Sequence, residues 1–518
     1  MGVGAPPTTD SQTTASPAAD SAPASSFRPL QAILALGGIQ AFTMLAGLAR
    51  TKVLALLLGP AGVGVASVID QVVSLVAQLG SLSIPFVGLK FLARARDDGA
   101  NETRSIYDAL VVLLVLASIT AAVIGTGVAT LNPSLFGEGL TAYRAALIVA
   151  LLGVPPFAIA PLLRNAMAAL ERHRESAIAA FLGAVLTVGG AAIGVSYGGL
   201  VGLYVANAIA LVITIAGMQW YLGRSLGLRL PRNLNTAAAT RALRSQRGLM
   251  TFASAMYILA MTSPFAYLLA RSMLLSTHGA TAAGFVAAAY GIGVSIRLVL
   301  NQANGLYLTP LVNRNTPKGD RIAAVAEYLR ILIVLVVLST LVIVLFPSQW
   351  LTLLYSAKFL DALPLVTVFV LAEAVLLVAG VYQALLIGFD DISGFLVSTV
   401  VGQLITIALA RWLVTEQGGL GVGLAFLAGN SVILVAAATR LLRKHGARQL
   451  FVPLAPLSVA LVTTAAAGWW VPRAGGPAIA WRVVAYFTAC GIAFLFLRPE
   501  ERRWILRPWQ APASARRR

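Results

Sequence analysis

The sequence predicts an all-α polytopic membrane protein, and three observations carry that reading. Hydrophobic residues make up 58% of the 518 and charged residues only 11%, with a mean hydropathy of +0.84; soluble domains are far less apolar. The apolar residues gather in runs of about 20, and at ~1.5 Å rise per residue each run crosses a ~30 Å hydrocarbon core. The ionisable residues fall mostly between these runs.

Taken in order, residues 1–27 are rich in Pro, Ala, Ser and Thr, contain no Lys or Arg, and form no apolar run; they are expected to be a disordered tail. Insertion is then expected to be directed by the first span, with nothing cleaved. An N-lobe of residues 28–222 is expected to cross the membrane at 30–58, 61–89, 105–131, 142–170, 176–196 and 199–222. A basic cytoplasmic linker, 223–248, leads to a C-lobe of residues 249–445, with spans at 249–275, 280–311, 322–346, 363–388, 392–413 and 419–442. Two further spans, 452–471 and 479–497, lie in the segment 446–497, and a basic cytoplasmic tail, 498–518, ends the chain. The count is about 14 transmembrane helices: two six-helix lobes plus two.

The single cysteine, Cys490, excludes an intramolecular disulfide and a cysteine-based metal site, and His173, His278 and His445 are scattered, so neither a metal nor a cofactor is expected. The net charge of +19 would suggest nucleic acid in a soluble protein, but its distribution suggests topology. Of the 38 Lys and Arg residues, 28 fall on the side of the N-terminus and 8 on the other, with Arg164 and Arg297 inside helices. The positive-inside rule then places both termini in the cytoplasm. Such residues attract anionic membrane lipids by about 1 kcal/mol each, and no nucleic-acid partner is expected.

An internal repeat organises the chain. Gly59 and Gly64 in GPAGVG match Gly279 and Gly284 in GATAAG at an offset of 220, Arg271 falls opposite Arg50 and Lys52, and Tyr107 has a counterpart in Tyr328. Because six spans separate equivalent points, the orientation is kept, and the lobes are related by a pseudo-twofold axis along the membrane normal.

Polar faces lie inside the apolar spans. Ser67, Asp70, Ser74, Gln78 and Ser81 share one face of the second span; Tyr290, Arg297, Asn301 and Asn304 share one face of the eighth, by their spacings of three, four and seven. An ionisable residue near a helix midpoint costs about 2.5–3.5 kcal/mol, so it normally faces a partner or a water-filled path. Arg50, Lys52, Arg164, Arg271 and Arg297 outnumber Asp70 and Glu373 in these helices. That surplus favours an anion such as phosphate or pyrophosphate, which guanidinium groups grip in a bidentate fork. Asp70 and Glu373 read either as H+ or Na+ acceptors or as charge balance for these cations.

The pieces KVLALLLGPAGVGVASVIDQ (52–71), TSPFAYLLARSMLL (262–275), LYLTPLVNR (306–314) and YSAKFLDALPL (355–365), in this order, resemble the Wzx-type O-antigen and polysaccharide flippases of the multidrug/oligosaccharidyl-lipid/polysaccharide (MOP) exporter superfamily. The resemblance implies two V-shaped lobes and a central cationic cavity lined by Arg50, Arg271 and Arg297, with a carboxylate at Glu373. It also implies alternating access that moves an undecaprenyl-pyrophosphate-linked glycan across the bacterial inner membrane, with a polysaccharide polymerase and chain-length proteins as partners. Fourteen spans resemble the lipid II flippase branch, where the last pair is implied to hold the lipid tail. A drug exporter coupled to H+ or Na+ would share the fold but calls for a carboxylate-rich cavity. A membrane glycosyltransferase or polymerase calls for a larger outer segment than 347–362.

Overall fold

Glycines divide this structure into its helices. The computed structural model describes residues 28–231, 236–244, 249–312 and 317–451, with short pieces at 466, 482–484 and 486–488. The expected tails at 1–27 and 498–518 lie outside the described residues, as do the spans 452–471 and 479–497 apart from those pieces. The helices in order are α1 (Arg28–Ser81), α2 (Ile84–Asp98), α3 (Ala100–Leu131), α4 (Arg144–Leu152), α5 (Val154–Ala169), α6 (His173–Ser225) and α7 (Thr236–Arg244). They continue with α8 (Leu249–Ala303), α9 (Thr309–Val312), α10 (Lys318–Leu345), α11 (Pro347–Leu354), α12 (Leu363–Gly388), α13 (Ile392–Gln417) and α14 (Gly419–His445).

Among the described residues, 9 segments are long and apolar enough to cross a membrane. Three turn at a glycine of positive φ: α1 at Gly59 (φ 64°), α6 at Gly199 (φ 54°) and α8 at Gly279 (φ 80°). The breaks turn the nine segments into twelve helices, six on each side of the connection that holds α7. A side chain would strain those three backbones, which is why glycine stands there.

The repeat read at Gly59 and Gly279 extends into the backbone. Gly199 (φ 54°, ψ −134°) has its counterpart in Gly418 (φ 56°, ψ −127°), and Glu171 (φ 60°) in Asp390 (φ 55°), both at an offset of 219. Beyond these turns, Gly194 packs on Gly202 in α6, and Gly421 packs on Leu413 across the α13–α14 turn. The same offset relates the two pairs. Small residues let backbones close up where lipid removes any hydrophobic drive between helices.

The lobes meet reciprocally at the Gly59 and Gly279 end. A Cβ on Gly64 would lie 2.1 Å from the Ala280 carbonyl oxygen, and a Cβ on Gly284 would lie 1.9 Å from that of Pro60. Shifting either contact by 220 gives the other, so the pseudo-twofold axis runs between them. Lys52 Nζ donates to the Thr352 carbonyl oxygen at 2.5 Å at the same end, tying α1 to α11.

Three boundaries differ from the sequence expectation. The second span ends at Ser81, not 89, because Leu82 and Ser83 turn through φ 49° and 58° and Pro85 opens a separate helix, α2. The fourth is broken at Gly153, ahead of Pro155 and Pro156, whose rings cannot sit within a continuous helix. The eighth ends in a π-helical turn at Asn304–Leu308.

Candidate functional site

Arg271 is the centre of the site. Its side chain is 7% exposed, its Cζ lies 4.6 Å from the Tyr290 ring centroid, and its Nε has no hydrogen-bond partner among the described residues. α8 positions both groups from opposite sides of the Gly279 break. Tyr290 packs in turn on Tyr267, Phe369 and Phe426, with centroids 5.5, 6.2 and 6.2 Å away, so the aromatic wall is fixed by α8, α12 and α14. A cation over a ring is worth about 0.5–2 kcal/mol, less than charge-assisted hydrogen bonds to phosphate oxygens. The wall therefore holds the guanidinium in place without saturating it.

Two carboxylates share its field, one from each lobe: Asp70 in the second half of α1 and Glu373 in α12. Glu373 is 2% exposed and accepts from Arg297 Nε at 2.5 Å, while Arg297 remains 27% exposed. Gly293 makes room for this pair, since a Cβ there would come within 3.1 Å of Glu373 Cγ. The sequence reading gave Arg297 and Glu373 separate roles; the fold pairs them within one lobe.

Asp70 is accessible although Arg50, Arg271 and the Tyr204 hydroxyl all act on it. A group accessible among partners from both lobes borders a space between the lobes. Tyr204 also hydrogen-bonds the Ala66 carbonyl oxygen at 3.0 Å, fixing its hydroxyl beside Asp70. Sequence reasoning missed Tyr204; its signal was a hydroxyl-bearing aromatic early in the apolar run 199–222, which also holds Tyr221 near its end.

The remaining candidates spread along the helices. Lys52 is engaged with Thr352 at the lobe junction, and Arg164 is exposed on α5, close to the Glu171 turn. Gln78 Nε2 donates to Ser74 Oγ at 3.4 Å. Asn304 Nδ2 donates to Asn301 Oδ1 at 3.0 Å, and Asn304 Oδ1 accepts from the Tyr328 hydroxyl at 2.5 Å. Arg50 and Arg271 thus come together around Asp70, and Arg297 joins through Glu373. Among the described residues there is no cluster of three His, Cys, Asp or Glu able to hold a metal.

This arrangement, two lobes of membrane-crossing helices closed at one end with charged groups between them, is the fold of the MOP-superfamily transporters. The lipid II flippase MurJ, in an inward closed conformation, aligns with a TM-score of 0.60 at 12% identity, covering 89% of this chain and 98% of its own. An inward-facing MATE family multidrug resistance transporter gives 0.56 at 15% identity, over 82% and 98%. In sequence, the chain is similar to the lipid III flippase of Escherichia coli (strain K12), at 24% identity over 386 residues, 74% of this chain and 91% of that relative. No protein-family model matches the chain.

Proposed function

We propose that this protein is a flippase, not an enzyme, that carries an undecaprenyl-pyrophosphate-linked oligosaccharide across the bacterial inner membrane by alternating access, with both termini in the cytoplasm. The observation that carries the reading is the buried, incompletely bonded Arg271 facing Asp70 and Arg50 between the lobes. Glu373 is already paired by Arg297, leaving Arg50 and Arg271 against one carboxylate, so the inter-lobe space has positive charge to spare. In a low-dielectric setting such a surplus selects an anion. A pyrophosphate offers bidentate acceptors to both guanidinium groups, while its sugar occupies the accessible space beside Asp70.

The similarity to a lipid III flippase and the shared fold with a lipid II flippase support a lipid-linked sugar as cargo; O-antigen or exopolysaccharide repeats are the proposed glycans. Coupling to H+ or Na+ through Asp70 belongs to the same proposal, as do partner polymerase and chain-length proteins. The test is a deletion strain complemented with Arg271→Ala. Lost surface polysaccharide with normal protein level in the membrane is the expected result. Unchanged polysaccharide together with altered resistance to cationic drugs would replace the reading with drug export.

A further inference from the structure

The turn between α12 and α13 and the end of α14 form a basic cluster that the transport reading does not use. Asp391, 1% exposed, accepts from Arg440 Nε at 2.9 Å and Nη2 at 3.1 Å, lies 3.0 Å from Lys444 Nζ and 3.5 Å from His445 Nε2, and caps α13 through the Gly394 amide. Arg440 and Lys444 are 43% and 48% exposed. Together with Ala436, Thr439 and Arg443 they line an open cavity of about 430 Å³. Arg443 makes no ion pair with a described residue. Arg440 and Lys444 face that one carboxylate, and the exposed Arg443 adds a third permanent cation.

The internal repeat shows that this is not a general property of the helix end. At the offset of 219 established by Gly199 and Gly418, the positions of Ala436, Thr439, Arg440, Arg443 and Lys444 correspond to Gly217, Trp220, Tyr221, Arg224 and Ser225, and Asp391 corresponds to Arg172. Of those N-lobe residues, Gly217, Trp220 and Tyr221 line an apolar groove of about 460 Å³ with Leu182, Leu186 and Ile213. Only Arg443 has a basic counterpart. Arg440, Lys444 and the buried acid that fixes them as a set thus belong to the C-lobe and not to the N-lobe. A basic terminus that merely complemented the helix dipole would not need Asp391.

The cluster's setting identifies its ligand. Val435, 63% exposed, and Val397, 58% exposed, lie on the membrane-crossing parts of α14 and α13, while Arg440, Arg443 and Lys444 occupy the last turns of α14. Apolar surface thus passes directly into basic surface, as at the boundary between acyl chains and headgroups. We propose that Thr439, Arg440, Arg443 and Lys444 form a binding site for the phosphate of an anionic phospholipid headgroup, with the acyl chains along α13 and α14.

The test is native mass spectrometry of the full-length protein in detergent, titrated in separate arms with phosphatidylglycerol, phosphatidylcholine and inorganic phosphate. The wild type should retain phosphatidylglycerol in preference to phosphatidylcholine. Arg443→Gln with Lys444→Gln, which leaves Arg440 to pair Asp391, should weaken that binding about 30-fold, at about 1 kcal/mol per charge removed. Lys358→Gln, which alters an exposed cation distant in the fold, should leave it unchanged. If the double variant does not fold, Lys444→Gln alone should still weaken binding about fivefold. Unaltered phosphatidylglycerol binding in a folded variant overturns the proposal. So does saturable binding of inorganic phosphate without any preference between the two lipids, which would assign the cluster to a free anion.

Discussion

A single methyl group added at Gly64 should open the protein at the end where its lobes touch. The Cβ of Gly64→Ala would lie 2.1 Å from the Ala280 carbonyl oxygen and 2.5 Å from the Gly284 amide nitrogen. Both neighbours are backbone, so no side chain can rotate away, and relief requires the lobes to part by about 1 Å or more. Overpacking of this kind costs about 1–3 kcal/mol. A cost of about 2 kcal/mol borne only by the closed arrangement shifts the closed-to-open ratio about 30-fold. Gly284→Ala should do the same from the other lobe, since its Cβ would meet the Pro60 oxygen at 1.9 Å. Gly47→Ala, with nothing within 4 Å, is the control. The assay is the spin-label distance between Leu57→Cys and Thr277→Cys, exposed positions related by the repeat, in a Cys490→Ser background. Both variants should lengthen that distance and the control should not. An unchanged distance in folded Gly64→Ala protein would refute the reciprocal contact.

Other expectations concern the charged clusters and the turns. Glu373→Leu leaves Arg297 half-buried without its partner and should cost about 3 kcal/mol of stability, while Glu373→Leu combined with Arg297→Met should recover most of it; thermal denaturation of all three proteins in detergent checks this. Gly199→Ala should cost about 1–3 kcal/mol from its left-handed backbone alone, and Gly418→Ala at least as much, because its Cβ would also come within 3.1 Å of the His278 ring; a smaller loss at Gly418 would refute this. Hydrogen bonds from Arg440 first, then from Lys444, Ser393 and the Gly394 amide, hold the Asp391 carboxyl well below the usual carboxylate range, against the opposing effect of its burial. A depressed folded-state value contributes stability that is complete above the unfolded value of about 3.9 and is lost as pH falls below it. Wild-type melting temperature should therefore drop below about pH 4 by a component that Asp391→Asn lacks.

The repeat was legible in the sequence where it rests on glycine, because the turn at Gly59 and the close approach at Gly64 each exclude side chains, and both requirements recur 220 residues later. Its second half was not read, because the pair Gly199 and Gly418 is displaced by one residue from that offset and sits in glycine-rich apolar sequence. The charged residues of the site were visible as costly exceptions in apolar helices. Their pairing was not: Arg297 and Glu373 are 76 residues apart, and no local period links positions on different helices. Asp391 was passed over for a similar reason, since its partners lie in the last turns of a helix beginning 28 residues downstream. The helix end at 81 escaped because hydropathy continues across it, and only the backbone turns at Leu82 and Ser83 stop the helix; the interruption at 153 had its signal in Pro155 and Pro156, which mark a bend though not the residue at which the helix divides.

Transfer of a fluorescent undecaprenyl-pyrophosphate-linked oligosaccharide between leaflets of proteoliposomes, with and without a pH gradient, tests the central claim most directly. The wild type should move the lipid-linked sugar, and Arg271→Ala, reconstituted to the same level, should not. Equal transfer by both proteins, or none by the wild type in vesicles where it exchanges a cationic drug, would contradict the claim.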